Sequence, residues 1–317
     1  RMSVARPSYG IFYLAAVYYL ASQLLIGGQL NVVVNITLCF VYFLITVTLA
    51  PSVGSRRVNK YAITFLWLST IVLIVETLLR IQEPVTVLRQ VGGMFFTDYP
   101  FYPSKYNSVM FADSNSTAIY VGSVFYLARY LGKRLGRDTR FLQVVSVVLL
   151  ILTFSRAAIV AFAAVAVLET LRAGRLSKKI AGLIALEIGV GVGAFMLVRL
   201  AGEDGSFASK LDIVKNTAVF LERATFGELM FGTGFGRGDQ YIGLWVHNYF
   251  VTYLVETGLI GIVLNIAMLV AMYLKAQKRN FGIIVFFLVA GLSFSPYALA
   301  YFFVANAVII VNEEAKS

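Results

Sequence analysis

One cysteine and one histidine are all that the 317 residues hold. The cysteine, Cys39, lies inside an apolar run, so neither a disulfide framework nor a cysteine-rich metal site can be built from this chain. The lone imidazole, His247, likewise rules out multi-histidine zinc sites, although carboxylates could still hold a hard cation. Charge is scarce too: Asp, Glu, Lys and Arg make up 14% of the sequence. A soluble domain of this length needs a larger polar share to cover its surface. There is no GxxxxGK[ST] loop and no GxSxG elbow, so nothing points to ATP hydrolysis or to a serine hydrolase.

What fills the sequence instead is apolar: 59% of residues are hydrophobic and the mean hydropathy is +0.80. A bilayer span takes about 20 mainly apolar residues, and fewer inside a bundle. About ten such stretches can be read, at 9–27, 30–50, 61–80, 115–131, 141–154, 157–173, 180–199, 247–274, 281–295 and 297–312. The pattern predicts an all-α fold, a polytopic transmembrane bundle forming one integral membrane domain over 1–317. The pair 141–154 and 157–173 is interrupted by Ser155 and Arg156, and the last pair by Pro296. One long tilted helix is the alternative in each place.

The net charge of +11 would by itself suggest nucleic acid, but the positions of the charges argue otherwise. With a cytoplasmic N-terminus, this span count puts Arg56, Arg57 and Lys60 in one cytoplasmic loop and Lys133, Arg134, Arg137 and Arg140 in another. Arg172, Arg175, Lys178 and Lys179 fall on the same side, as do Lys275, Lys278 and Arg279. With Arg1, Arg6, Arg129 and Lys316 this makes 18 of the 27 basic residues. The basic excess sets topology, as the positive-inside rule requires, and no nucleic acid is needed to explain it. Both termini are expected in the cytoplasm, and the first span reads as an uncleaved anchor. No inverted duplication of the transporter type is visible.

Two external segments are too long to be mere connectors. Residues 81–114 are rich in aromatics. Residues 200–246 contain a predicted amphipathic helix from about Ser206 to Arg223, with Leu211, Val214, Ala218 and Leu221 at helical spacing. The glycine-rich stretch Phe231–Gly236 follows it. Both segments lie on one face of the membrane, where chemistry is expected.

His247 opens the eighth span in HNYFVTYLVETGLIGI. Imidazole is the side chain best matched to proton transfer near neutral pH, and a helix N-terminus would also favour a bound anion. An interfacial histidine in a polar belt is the plainer reading. Glu256, more than two turns further in, is an ionisable group at membrane depth and needs a partner; a structural pairing with an arginine or a helix-end amide would supply one. Arg156 follows Thr153-Phe-Ser155 at the external boundary and carries a planar fork suited to phosphate oxygens, unless it snorkels to the headgroups. The other external cations are Arg80, Arg89, Lys105, Arg199, Lys210, Lys215, Arg223 and Arg237, and a subset facing one cavity would make a diphosphate site. The amides of Gly232–Gly236 could face an anion, or the run could be a tight turn that seats the loop.

Together these residues resemble the O-antigen ligase and polymerase superfamily of bacterial polysaccharide enzymes. The block His247-Asn248, Glu256 and Gly258, preceded by Leu229-Met-Phe-Gly-Thr-Gly-Phe-Gly236, looks like that family's "pl.G.G.g … HN" pattern. Thr153-Phe-Ser-Arg-Ala157 is similar to its T.SRga element, and Phe111-Ala-Asp-Ser-Asn115-Ser-Thr-Ala118 to its f.dpN..a element. The resemblance covers roughly 100 to 312. Lys210 stands where the family often has arginine ahead of the external amphipathic helix. The arginine often found before the asparagine element is Lys105 here, or is supplied by Arg80 or Arg89.

The resemblance implies a glycosyltransferase whose donor is an undecaprenyl-diphosphate-linked oligosaccharide, with no cofactor and no metal. Arg156 and one or two further cations, among them Arg80, Arg89, Lys105, Lys210, Arg223 and Arg237, would hold the lipid diphosphate. Asn115, Asn248, Tyr249 and Glu256 would complete the substrate site. His247 would orient or deprotonate an acceptor-glycan hydroxyl attacking the anomeric carbon, with inversion, so activity is expected to fall as pH drops through the histidine pKa. A polymerase of O-antigen or exopolysaccharide units, working with a chain-length regulator protein, is favoured by the compact chain. A ligase delivering glycan to lipid A-core is the alternative, and a flippase for lipid-linked saccharides is the rival of another class.

Overall fold

The computed structural model describes residues 9–82, 110–111, 114–172, 205–297 and 299–315, with the side chains of 205–208 outside that description. Among these residues the fold is all-helical. The helices, in chain order, are α1 (Gly10–Ile26), α2 (Leu30–Val53), α3 (Ser55–Gln82), α4 (Ser114–Leu135), α5 (Arg140–Leu152), α6 (Arg156–Arg172), α7 (Gly205–Arg223), α8 (Phe226–Phe231), α9 (Gly238–Ile242), α10 (Tyr249–Lys275), α11 (Phe281–Ala290) and α12 (Ala300–Glu314). Three of them, α2, α3 and α10, are long and apolar enough to cross a membrane, with mean hydropathies of 2.4, 2.1 and 2.1 over their best windows. Helices α1 and α5 and the segment Phe281–Ser293 are apolar but shorter. The apolar stretch 180–199 lies outside the described residues.

Local chemistry explains the helix ends. Gly27, at φ 85°, ends α1 in the left-handed region, with its amide on the Gln23 carbonyl. The chain stops between α5 and α6, where Phe154 takes φ 53°, so the two stretches flanking Ser155–Arg156 are separate helices rather than one tilted rod. Ser155 restarts the helix as its N-cap: its Oγ accepts from the Ala158 amide at 3.3 Å. Pro296 lies within a longer interruption. Helix α11 passes into a 3-10 turn at Gly291–Ser293, and α12 begins only at Ala300.

The chain packs as two compact units. The first comprises residues to Thr37, Ala161–Ala271 and Gly291–Tyr297. Its small apolar core joins Ile213 and Phe220 of α7 to Ile242, Val246 and Val255. The second comprises Leu38–Val160, Met272–Ala290 and the chain from Ala298. Helix α4 is its centre and packs against α3, α5, α11 and α12. Between α4 and α11 the fit is reciprocal: a Cβ on Gly122 would overlap the Phe286 ring, and one on Gly282 would overlap the Tyr126 ring. Each helix thus sets a bare backbone under the other's aromatic ring, which allows a close approach.

Helix α7 has nearly the bounds that helical spacing predicts, and the stripe Leu211, Val214, Ala218 and Leu221 is exposed, with Leu211 54% and Val214 60% accessible. The buried stripe is Ile213, Thr217 and Phe220. Two apolar stripes run along this helix at helical spacing, and the one ending in the larger aromatic ring is the one the fold uses.

Candidate functional site

The HN…E.G block and the glycine-rich stretch meet in the first unit. Helix α10 is broken at Gly258, which adopts φ 66°, ψ −171°. A break frees carbonyls that must find donors when buried. The glycine stretch supplies them: the Thr233 amide donates to Val255 O at 2.9 Å and the Gly234 amide to Glu256 O at 3.0 Å. The Tyr18 hydroxyl of α1 donates to Thr257 O at 2.9 Å, and Gln23 Nε2 to Glu256 O at 3.3 Å. Gln23 Oε1 accepts from the Phe235 amide. Gln29 closes the ring of contacts, its amide donating to Phe235 O at 2.7 Å and its side chain to Gly236 O at 2.5 Å.

The glycines are required by contact as well as by conformation. A Cβ on Gly232 would overlap the Glu256 carbonyl group, and one on Gly258 would overlap the Met230 carbonyl group. Both residues also have positive φ. The amides of residues 233–235 are thus spent on carbonyls and on Gln23. The turn seats the loop on α10 and does not present those amides to an anion.

Glu256 is the inner anchor of this frame. It is 1% exposed, and its Oε1 accepts from the Gly238 amide at 3.0 Å and from the Tyr297 hydroxyl at 2.6 Å. Of the two partners considered for it, an arginine and a helix-end amide, the amide at the start of α9 is found, joined by a tyrosine that sequence reasoning missed.

Asn248 has a plain local task. Its Oδ1 accepts from the Phe250 and Val251 amides at 3.0 and 3.2 Å, which caps α10. The helix N-terminus expected to favour an anion is therefore self-capped. Val246 O, two residues earlier, accepts from Ser295 Oγ at 2.6 Å and from Thr252 Oγ1 at 3.3 Å. His247 sits between these two fixed points, half-buried, its ring stacked on Trp245 with centroids 5.2 Å apart and planes 20° apart. Tyr249, expected at the substrate, is buried instead, and its hydroxyl donates to Asn265 Oδ1 within α10.

The sequence matches no protein-family model and no curated protein.

The other two motif elements meet in the second unit. Ser155 Oγ donates to Asn115 Oδ1 at 2.7 Å, joining the segment ahead of Arg156 to the first turn of α4. Thr153 and Ser155 shape the break, and Arg156, exposed, begins α6. On α3, Arg80 is fully buried and lies 3.5 Å from Glu76, one turn earlier. Its guanidinium is thus buried beside a carboxylate rather than open to solvent.

Of the remaining cations, Lys210 is half-buried on α7 and Arg223 is exposed in its last turn. Arg237 is half-buried, with Nη1 3.4 Å from the Ile26 carbonyl. Arg89 and Lys105 lie outside the described residues. Gln23, Gln29, Tyr297 and Trp245 are the residues sequence reasoning missed; an amide side chain within an apolar first span was the one available signal, at Gln23.

Proposed function

We propose that this chain is a membrane glycosyltransferase acting on polyprenyl-diphosphate-linked glycans at the periplasmic face of a bacterial inner membrane. The observation that carries the proposal is the setting of His247. A lone imidazole stands at the expected external end of a span, between a capped helix start and a tethered Val246 carbonyl, in a loop locked by the Glu256 frame. Such a fixed imidazole can meet a hydroxyl without reorganising, which is what general-base work needs.

In the proposed step the acceptor hydroxyl loses its proton to His247 as its oxygen bonds to the anomeric carbon of the donor. The bond from that carbon to the diphosphate breaks, and the polyprenyl diphosphate leaves with the electron pair. Cations of the external segments stabilise the leaving anion. Inversion follows from direct displacement. Polymerisation of repeat units is the preferred form.

The proposed topology has about ten spans with both termini cytoplasmic. It is supported by contacts inside each unit. In the first, the turn at Gln29 bonds to the glycine loop, both expected outside. In the second, Lys275 pairs with Glu314 at 3.1 Å and Tyr130 donates to Glu313 at 2.6 Å, all expected inside.

A transporter reading would use the broken helix differently, leaving unwound carbonyls to coordinate an ion. Here the Val255, Glu256 and Thr257 carbonyls have protein donors, which favours the enzyme. The test is to incubate the purified protein in liposomes with verified lipid-linked repeat units. A ladder of longer glycans supports the polymerase. Transfer only after lipid A-core is added makes it a ligase. Passage of substrate across the liposome with no new glycosidic bond overturns the enzyme reading.

A further inference from the structure

Residues 245–248 carry no regular secondary structure and join a bend at 243–244 after α9 to the start of α10. Val246 is buried here, while Trp245 and His247 on either side of it stack ring on ring. Trp245 remains 60% exposed. One face of its indole covers the imidazole, and the other is open.

We propose that this open face is a saccharide subsite. A flat, rigid aromatic surface suits the apolar face of a pyranose, since it buries carbon-bound hydrogens and leaves the hydroxyls free for water or polar partners. The proposal rests on the glycosyl-transfer reading of His247. The sugar it takes is not the one that reacts: the indole lies between that sugar and the imidazole. Trp245 therefore holds the neighbouring unit of the acceptor, and the acceptor spans at least two sugars. The rival occupant is the bilayer, since tryptophan is common in interfacial belts. The parallel stack on a half-buried imidazole favours the sugar: a belt anchor needs no such alignment.

The test compares wild type, Trp245→Ala and Trp245→Phe in the liposome assay, varying the acceptor. Trp245→Ala is expected to raise KM for a repeat-unit acceptor about tenfold, the scale of one aromatic stacking contact, and the KM is read separately from any fall in kcat that follows from the lost stack on His247. Trp245→Phe is expected to recover most of that loss. A monosaccharide acceptor, which cannot reach the subsite, should show no such KM difference. An independent reading comes from Trp67→Phe, which leaves Trp245 as the sole indole because the chain has two tryptophans. Free repeat-unit oligosaccharide should then shift its fluorescence to the blue, and brominated lipids should quench it little. An unchanged KM in active Trp245→Ala, or strong bromolipid quenching with no response to the oligosaccharide, overturns the subsite and leaves the enzyme reading standing. Absence of product from wild type on verified donor and acceptor removes both.

Discussion

The hydroxyl of Tyr297 donates to Glu256 Oε1 at 2.6 Å, linking the segment after α11 to the first third of α10 across 41 residues of sequence. The same oxygen accepts the Gly238 amide, so one buried carboxyl ties three segments together. Glu256 is thereby assigned to the frame that holds the site rather than to the chemistry in it.

That assignment separates two substitutions. Glu256→Gln keeps an oxygen able to accept both bonds, and its amide nitrogen falls where Oε2 has no partner among the described residues. Glu256→Ala loses both bonds and leaves a cavity, at a cost of roughly 2–4 kcal/mol. Thermal unfolding in detergent is expected to leave Glu256→Gln near wild type, with activity within a few-fold, and to lower Tm clearly for Glu256→Ala. A stable but inactive Glu256→Gln would return Glu256 to the chemistry.

Gly258→Ala is expected to abolish folded protein, because its Cβ would meet the Met230 backbone in a conformation that alanine disfavours. Gly54→Ala is the control: it has φ 85° but nothing within 4 Å of the added Cβ. The left-handed backbone alone costs that variant about 1–2 kcal/mol. Monodisperse yield after purification distinguishes them, and equal yields would contradict the tight backbone contact.

Asn248 in its capping role is replaceable by another cap. Asn248→Ser should keep Tm and activity near wild type, whereas Asn248→Ala should cost about 1 kcal/mol of stability. Loss of activity in a fully stable Asn248→Ser would mean that the side chain serves substrate as well as the helix.

Helix α7 shows how far the sequence could be read. Its length was legible from helical spacing, but its orientation was not, because Leu211, Val214 and Leu221 form as good an apolar stripe as Ile213, Thr217 and Phe220. Periodicity finds stripes and cannot say which one meets the core. Phe220→Ala should therefore cost roughly 3 kcal/mol or more by leaving a cavity, and Leu211→Ala little. The reverse order in unfolding measurements would contradict the packing of Phe220 in the core.

The site was legible in a similar, partial way. His247, Asn248, Glu256 and the glycine run stand out locally, because polar and flexible residues break an apolar sequence there. Gln23 and Tyr297 reach Glu256 from 233 and 41 residues away. No local pattern announces a contact at that separation. The bond between Asn115 and Ser155 joins two motif elements 40 residues apart that sequence could only place on the same face.

The most direct measurement of the central claim compares wild type with His247→Ala on verified lipid-linked repeat units, with products resolved by length. Matching unfolding midpoints establish that both proteins are folded. The account predicts a glycan ladder from wild type and its loss, by at least about a hundredfold in rate, in His247→Ala. An undiminished ladder from folded His247→Ala would contradict it.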